Sequence, residues 1–339
     1  VKHPASATTD GSSYTDIPID EIDFSTAESI EAVDLASGTG HDDIAISYNS
    51  DASAPTVAYI NDASDELYYG EWDGSSWNTE VVTSFGSDFF FSLDLQMGGS
   101  TPQIAYYDPD DADLKFAFKS GGSWTIEVID DTSNNVGLNV SLGNTGQGGA
   151  IIAAYHDQTN GDVRFADRGG GSWSNELVAN GGDALDMTFK DDGSIYIAYQ
   201  ESDDVHLATS SGVGNPWSTS TLASDVDVLG AAIGIDVAPN DQTWGVAFSN
   251  SAQDTVLFLR EGQSTDPTLI SAPDENYNFF DSLAVSYDDD DNAHVAAMPD
   301  GSTPKIIDNT KGQDRWRTTS IADIPAGDSI DVDVAPVST

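Results

Sequence analysis

Short runs of alternating apolar and polar residues, each closed by Gly, Asp, Asn or Pro, fill the chain from Ile44 onward. Ser92–Met97 alternates and ends at Gly-Gly-Ser. Gln103–Tyr107, Leu114–Phe118 and Trp124–Ile129 follow, parted by an Asp/Pro turn and a Gly-Gly pair. Strand side chains point alternately to two faces, so a two-residue period predicts strands and the tight turns predict hairpins. No apolar stripe has the three-to-four-residue spacing of an amphipathic helix.

This four-run pattern repeats. An apolar–Ala–aromatic motif falls on Tyr59, Tyr106, Tyr155, Tyr199 and Phe248, decaying at Ala297, with steps of 47, 49, 44, 49 and 49 residues. Trp77, Trp124, Trp173 and Trp217 keep the same irregular spacing; Pro267 stands where the next is due, and Trp316 resumes the series. Two markers in phase define a four-stranded unit that must stack on copies of itself to bury both faces. The predicted fold is all-β, a β-propeller of seven four-stranded blades, with six blades as the alternative. Residues 1–13 read as a flexible polar lead-in and 14–339 as one domain. Its units are 43–91, 92–139, 140–184, 185–232, 233–281, 282–328, and 329–339 joined to 14–42. In that last unit Ser329–Ala335 would be the inner strand, Glu28–Asp34 the outermost, and Tyr14–Phe24 the middle pair, leaving no open sheet edge.

Charge changes the picture. The 339 residues carry 58 Asp+Glu against 11 Lys+Arg, a formal net charge of −47. Such a surface repels itself in dilute buffer, whereas at molar salt the Debye length shrinks to ~3 Å. A halophilic protein is the expectation. The same field repels phosphate backbones and anionic lipid, so nucleic acid is not an expected partner. No apolar window reaches the ~18 residues of a membrane span, so membrane insertion of this segment is not expected. Cysteine is absent, which removes disulfide and thiol chemistry.

The sequences IAYYD, LKFA and GGSW, within residues 104–124, resemble the repeats of secreted bacterial and archaeal β-propellers grouped with sialidase-like and lectin-like proteins. With the acidity, the resemblance is to a haloarchaeal or haloarchaeal-virus type. It implies a propeller outside the cell, on a cell surface or on a virion. The likeness fails at the residues of sialidase activity. Of the family's Asp-box, Ser-x-Asp-x-Gly-x-x-Trp, only the glycine before each tryptophan survives, at Gly74, Gly121, Gly170 and Gly214. The aspartate position holds Trp72, Lys119, Arg168 and Gly212. None of the five arginines falls on a predicted inner strand, so the family's carboxylate-binding arginine triad has no counterpart.

Two aromatic clusters outside the repeat are candidate ligand contacts: Phe85 with Phe89, Phe90 and Phe91, and Tyr277 with Phe279 and Phe280. Both lie in connections from one unit's last strand to the next unit's first, which emerge on one face of a propeller and suit carbohydrate or protein contact; burial at the junction between units is the slightly favoured alternative. Asp94, Asp186, Asp236 and Asp331 sit between apolar residues of predicted inner strands. Converging carboxylates could hold a hard cation such as Ca²⁺; the favoured alternative is that each accepts N–H bonds from the neighbouring blade. The repeat tryptophans read as wedges between blades rather than sugar platforms. The sequon Asn139-Val140-Ser141 falls on an inner strand and is expected to be buried. The histidines lack zinc spacing, and neither a nucleophile elbow nor a phosphate loop is present.

The expected function is a non-catalytic extracellular recognition or adhesion module without a cofactor: a cell-surface, appendage or virion spike protein. It would bind a surface glycan or protein through its loop face. A polysaccharide-active glycoside hydrolase or lyase at the channel mouth is the competing reading, marked by two nearby carboxyls with at least one raised pKa. A structural subunit of a surface assembly is the third.

Overall fold

The computed structural model describes residues 44–48, 54–61, 64–86, 92–132, 135–145, 150–226, 232–250, 255–262, 267–270, 280–299, 305–309, 316–320 and 331–332. All belong to the second of the two units into which the chain divides, Gly38–Thr339. Both N-terminal segments assigned to a seventh blade lie outside the described residues.

Six four-stranded antiparallel sheets follow one another along the chain. The first holds β1 (Ile44–Tyr48), β2 (Pro55–Asn61), β3 (Glu66–Trp72) and β4 (Trp77–Ser84); the second β5 (Leu93–Gly98), β6 (Thr101–Asp108), β7 (Asp113–Ser120) and β8 (Ser123–Asp130). The third holds β9 (Val136–Asn144), β10 (Ile151–Asp157), β11 (Asp162–Asp167) and β12 (Ser174–Asn180); the fourth β13 (Leu185–Phe189), β14 (Ile195–Glu201), β15 (Asp204–Ser210) and β16 (Ser218–Ala223). The fifth holds β17 (Ile233–Val237), β18 (Trp244–Asn250), β19 (Thr255–Arg260) and β20 (Thr268–Leu269); the sixth β21 (Phe280–Tyr287), β22 (Ala293–Pro299), β23 (Lys305–Asn309) and β24 (Trp316–Ser320). Among the described residues the one helical element is a 3₁₀ turn at Gly169–Gly171. These six sheets are the six complete repeat units, in a propeller-like, all-β arrangement.

Two unit boundaries need correction. The breaks at 139/140 and 281/282 cut through β9 and β21. Both strands carry register shifts against their partners, between Ala154 and His156 and between Phe280 and Ser282. A bulge inserts one residue and breaks alternation, so the pattern begins late in both strands.

The first strands of consecutive sheets pack side by side, from β1 to β21. Inside each sheet the motif aromatic is the buried centre: Tyr59, Tyr106, Tyr155, Tyr199 and Phe248 are at most 2% exposed. The tryptophans join sheets, as their fixed place in the repeat predicts. Trp124 meets Tyr69 with ring centroids 5.5 Å apart, Trp173 meets Phe116 at 5.3 Å, Trp217 meets Phe165 at 5.2 Å, and Trp316 meets Phe258 at 4.8 Å. Each pair runs from the third strand of one sheet to the start of the fourth strand of the next, in tilted or edge-on geometry that favours aromatic contact. Pro267 precedes β20, a strand of only two residues, at the junction without a tryptophan.

A polar staple accompanies the wedge. Glu80, Glu127 and Glu176 lie opposite Tyr69, Phe116 and Phe165 on the neighbouring strand of their own sheets. Trp124 Nε1 donates to Glu80 Oε1 at 3.0 Å and Trp217 Nε1 to Glu176 Oε1 at 2.8 Å. Lys119 pairs with Glu80 at 2.5 Å, and the Arg168 guanidinium grips both Glu127 oxygens at 2.7 Å. Lys119 and Arg168 are the residues standing where a sialidase Asp-box has aspartate. Here that position ties one sheet to the one before it.

Candidate functional site: the central carboxylates and the loop end

In each sheet the motif alanine of the second strand faces one inner-strand residue. These are Ala45 opposite Ala58, Asp94 opposite Ala105, Ser141 opposite Ala154, Asp186 opposite Ala198, Gly234 opposite Ala247 and Ala284 opposite Ala296. Carboxylates stand at two of these six positions, in the second and fourth sheets, each flanked by small residues. Each carboxylate bridges two strands. Asp94 Oδ1 accepts from Leu95 N at 2.7 Å in its own strand, and its Oδ2 accepts from Leu142 N in the next sheet at 2.6 Å. Asp186 does the same with Met187 N at 2.7 Å and Ile235 N at 2.8 Å, and also accepts from Ser141 Oγ at 2.8 Å. Asp331 accepts from Val332 N and from Ile46 N of β1, both at 2.8 Å.

Asp94, Asp186 and Asp331 line one cavity of 160 Å³ together with Ala45, Asn139 and Ala284. Burial raises the Asp94 pKa well above the carboxylate range, and the charges of Asp331 and Asp186 add to the rise. Burial likewise pushes Asp186 up to about 6, against the three hydrogen bonds that favour its charged form.

Asp236 does not belong with these three. It lies opposite Gly245, two residues beyond the equivalent position, which Gly234 occupies, and it is not among the cavity-lining residues. The physical reason is close approach: a Cβ at Gly234 would stand 3.0 Å from Val285 N. The bridging carboxylate has moved along the strand, where Asp236 Oδ2 accepts from Tyr287 N at 2.9 Å. The four candidate cation ligands thus do not form a single cage. Among the described residues no group of three or more His, Asp or Glu is placed to hold a metal ion. All four accept a backbone N–H from elsewhere in the chain: Asp94, Asp186 and Asp236 from the next sheet, Asp331 from β1.

Asn139 of the sequon is half-buried rather than buried, with a positive φ of 48°. Its amide Nδ2 donates to Asp183 O of the connection leading into the next sheet.

The end of the sheets carrying the second-to-third-strand turns and the sheet-to-sheet connections is cross-tied. Gly86 N, leaving the first sheet, donates to both Asp110 oxygens of the second sheet's turn at 3.0 and 2.8 Å. Asn135 N, entering the third sheet, donates to Thr159 Oγ1 at 2.9 Å, and Gln158 N returns a bond to Asn135 O at 3.0 Å. Gly182 N, leaving the third sheet, donates to Gln200 O of the fourth at 2.7 Å.

Phe85 is corrected as a ligand contact. It is 8% exposed and packs against Tyr106 of the next sheet with centroids 6.1 Å apart, so it is junction core. Phe89, Phe90, Phe91, Tyr277 and Phe279 lie outside the described residues, and Phe280 is described only as the first backbone position of β21. Sequence reading missed the Glu80–Glu127–Glu176 series; its spacing, that of Trp77, Trp124 and Trp173, was the available signal.

At the opposite end, His294 lies between two carboxylates, Nδ1 at 2.8 Å from Asp308 Oδ1 and Nε2 at 3.4 Å from Asp288 Oδ2. Burial pulls its pKa down, but the bonds to Asp308 and Asp288 outweigh that and leave it raised. A raised histidine stabilises the fold below its unfolded pKa near 6.5 and loses that contribution as pH rises through the folded value. His294→Gln is therefore expected to cost about 1–2 kcal/mol in acid and much less at alkaline pH. Urea midpoints measured against pH check this, and a loss equal at both ends contradicts it.

No protein-family model and no curated protein sequence matches the chain. Among solved structures it is similar to AofleA from Arthrobotrys oligospora, with 15% identity and a TM-score of 0.56. It is also similar to a triple arginine-to-alanine variant of that protein, with 14% identity and a TM-score of 0.58. Each likeness covers 86% of this chain and 91% of the other. At such identity the likeness is one of fold: a propeller-like set of sheets.

Proposed function

We propose that the chain is a non-catalytic recognition or adhesion module that binds a surface glycan through its cross-tied loop end. It would act outside the cell or on a virion of a halophile. The observation carrying this reading is the set of hydrogen bonds that tie the connections after the first, second and third sheets to the sheet that follows. Loops already fixed by such bonds lose little entropy on binding, so weak contacts repeated from sheet to sheet add to useful affinity. The acidic composition supports the halophilic setting, where molar salt screens the charge. We further propose that the ring has seven members, the seventh contributing as its inner strand the segment that holds Asp331.

One observation favours the hydrolase reading. Asp94 and Asp186 line one cavity and both have raised pKa values, as an acid catalyst requires. Against it, each carboxylate already bridges two backbone N–H groups.

The two readings separate in one assay: glycan-array and host-cell binding in molar NaCl, with reducing sugar measured in parallel. Saturable binding without sugar release is the expected result. Sugar release abolished by Asp186→Asn would transfer the function to the cavity, and absence of binding to any glycan or host cell would overturn the recognition reading.

A further inference from the structure

The first five inner strands are each followed, in space, by the next sheet's inner strand. Among the described residues the sixth, β21, does not pack on β1 in that way. The described contact on that flank of β1 comes from the other end of the chain, where Asp331 Oδ2 accepts from Ile46 N at 2.8 Å. This bond repeats a rule seen twice elsewhere. Asp94 takes the amide that follows Ser141, Asp186 the amide that follows Gly234, and Asp331 the amide that follows Ala45. In all three the carboxylate's other oxygen holds the next amide along its own chain: Leu95, Met187 or Val332. Asp331 also lines the cavity bounded by the six inner strands. The residues around it, Ser329-Ile330-Asp331-Val332-Asp333-Val334, alternate as Ser92-Leu93-Asp94-Leu95 does.

Asp94 and Asp186 reach a neighbour to which they are also joined by a short connection in the chain. Asp331 reaches a strand 285 residues away. Its hold therefore depends on local contacts and on the long-range closure of the entire ring.

We propose that the flank of β1 is a strand-acceptor site, occupied by the protein's own C-terminal segment around Asp331. The ligand class is an extended acidic peptide that carries aspartate between two aliphatic residues and offers its carboxylate to the Ile46 amide. The site discriminates against a one-residue slip, which would turn the carboxylates to the core side, whereas a two-residue slip sets Asp333, also between aliphatics, opposite that amide. A segment held in this way exchanges with an identical segment supplied from outside, including one from a second copy of the chain. The inference rests on the seven-member ring but not on the recognition reading, whose assay is independent.

The test places a protease site between Gly327 and Asp328 of the full chain and cuts it after folding, so no truncated chain has to fold. A fluorescent peptide of residues 328–339 is then added in molar NaCl. The nicked protein is expected to take up the label and the uncut protein is not. A peptide carrying both Asp331→Ala and Asp333→Ala should bind about tenfold more weakly, the loss of the half-buried acceptor for the Ile46 amide. In parallel, hydrogen exchange at Ile46 should accelerate when the cut segment is washed away and slow again when the peptide is restored. Equal labelling of cut and uncut protein overturns the proposal, as does an Ile46 amide indifferent to the segment. If the nicked protein keeps its segment through the wash, with Ile46 protected and no label exchanged, the ring reading stands and the exchangeable site is refuted.

Discussion

Phe116→Ala and Phe165→Ala are each expected to lower the unfolding free energy by about 3–5 kcal/mol, the range for a large aromatic removed from a core that cannot collapse around the gap. Both rings are at most 2% exposed. Each also supplies the surface on which the next sheet's tryptophan rests, at 5.3 Å for Trp173 and 5.2 Å for Trp217. The loss therefore falls on a junction between sheets as well as on the sheet that is mutated. A double-mutant cycle between Phe165 and Trp217 should return a coupling of about 0.5–1.5 kcal/mol beyond area burial. Chemical denaturation in molar salt measures both. A cost near 1 kcal/mol with no coupling would mean that the wedge is decorative and that the sheets are held elsewhere.

The second large effect concerns Asp186, whose pKa burial pushes up to about 6 from the ordinary aspartate range. For an acid with a raised folded pKa, the folded state holds its proton more tightly. Its contribution is complete below the unfolded value and is lost as pH rises through the folded one. Relative to Asp186→Asn, which cannot titrate, the wild type should lose on the order of 3 kcal/mol between about pH 4 and pH 7. The comparison isolates this carboxyl from the other acids of the chain. Asp186→Ala should be worse than Asn at every pH, because the Ile235 and Met187 amides and the Ser141 hydroxyl all lose their acceptor. A wild type that tracks Asp186→Asn in parallel from pH 4 to 7 would show that the carboxyl is solvated and does not feel its neighbours.

The sheets were legible in the chain because two markers, the motif aromatic and the tryptophan, carry one irregular spacing. Each marks a fixed place: Tyr106 the buried centre of a sheet, Trp124 the wedge against the sheet before. The inner strands were harder to read. In Ile233-Gly234-Ile235-Asp236-Val237 an aspartate between aliphatics imitates the equivalent of Asp186, while the true equivalent is a glycine with no side chain to announce itself. Only the pairing with Ala247 fixes the register. Phe85 misled for a related reason. A lone aromatic beyond the end of β4 looks like a loop residue, yet its backbone N still bonds Asp65 O at 2.7 Å and its ring turns inward. Strand starts at Val136 and Phe280 were hidden because bulges interrupt alternation. The staple glutamates were readable in principle, but a carboxylate on an exposed strand of a chain with 58 acids draws no notice by composition alone.

The bonds of the central carboxylates hold neighbouring strands together, while the proposed recognition belongs to the loop end. The most direct check is amide hydrogen exchange at Ile46, Leu142, Ile235 and Tyr287, the four amides held by carboxylates of an adjacent inner strand or of the segment around Asp331. The expected result is that all four exchange in the slowest class, opening only with global unfolding, in molar NaCl with no ligand added. Rapid exchange that becomes slow only when Ca²⁺ or an oligosaccharide is supplied would contradict the account and make the centre a binding site.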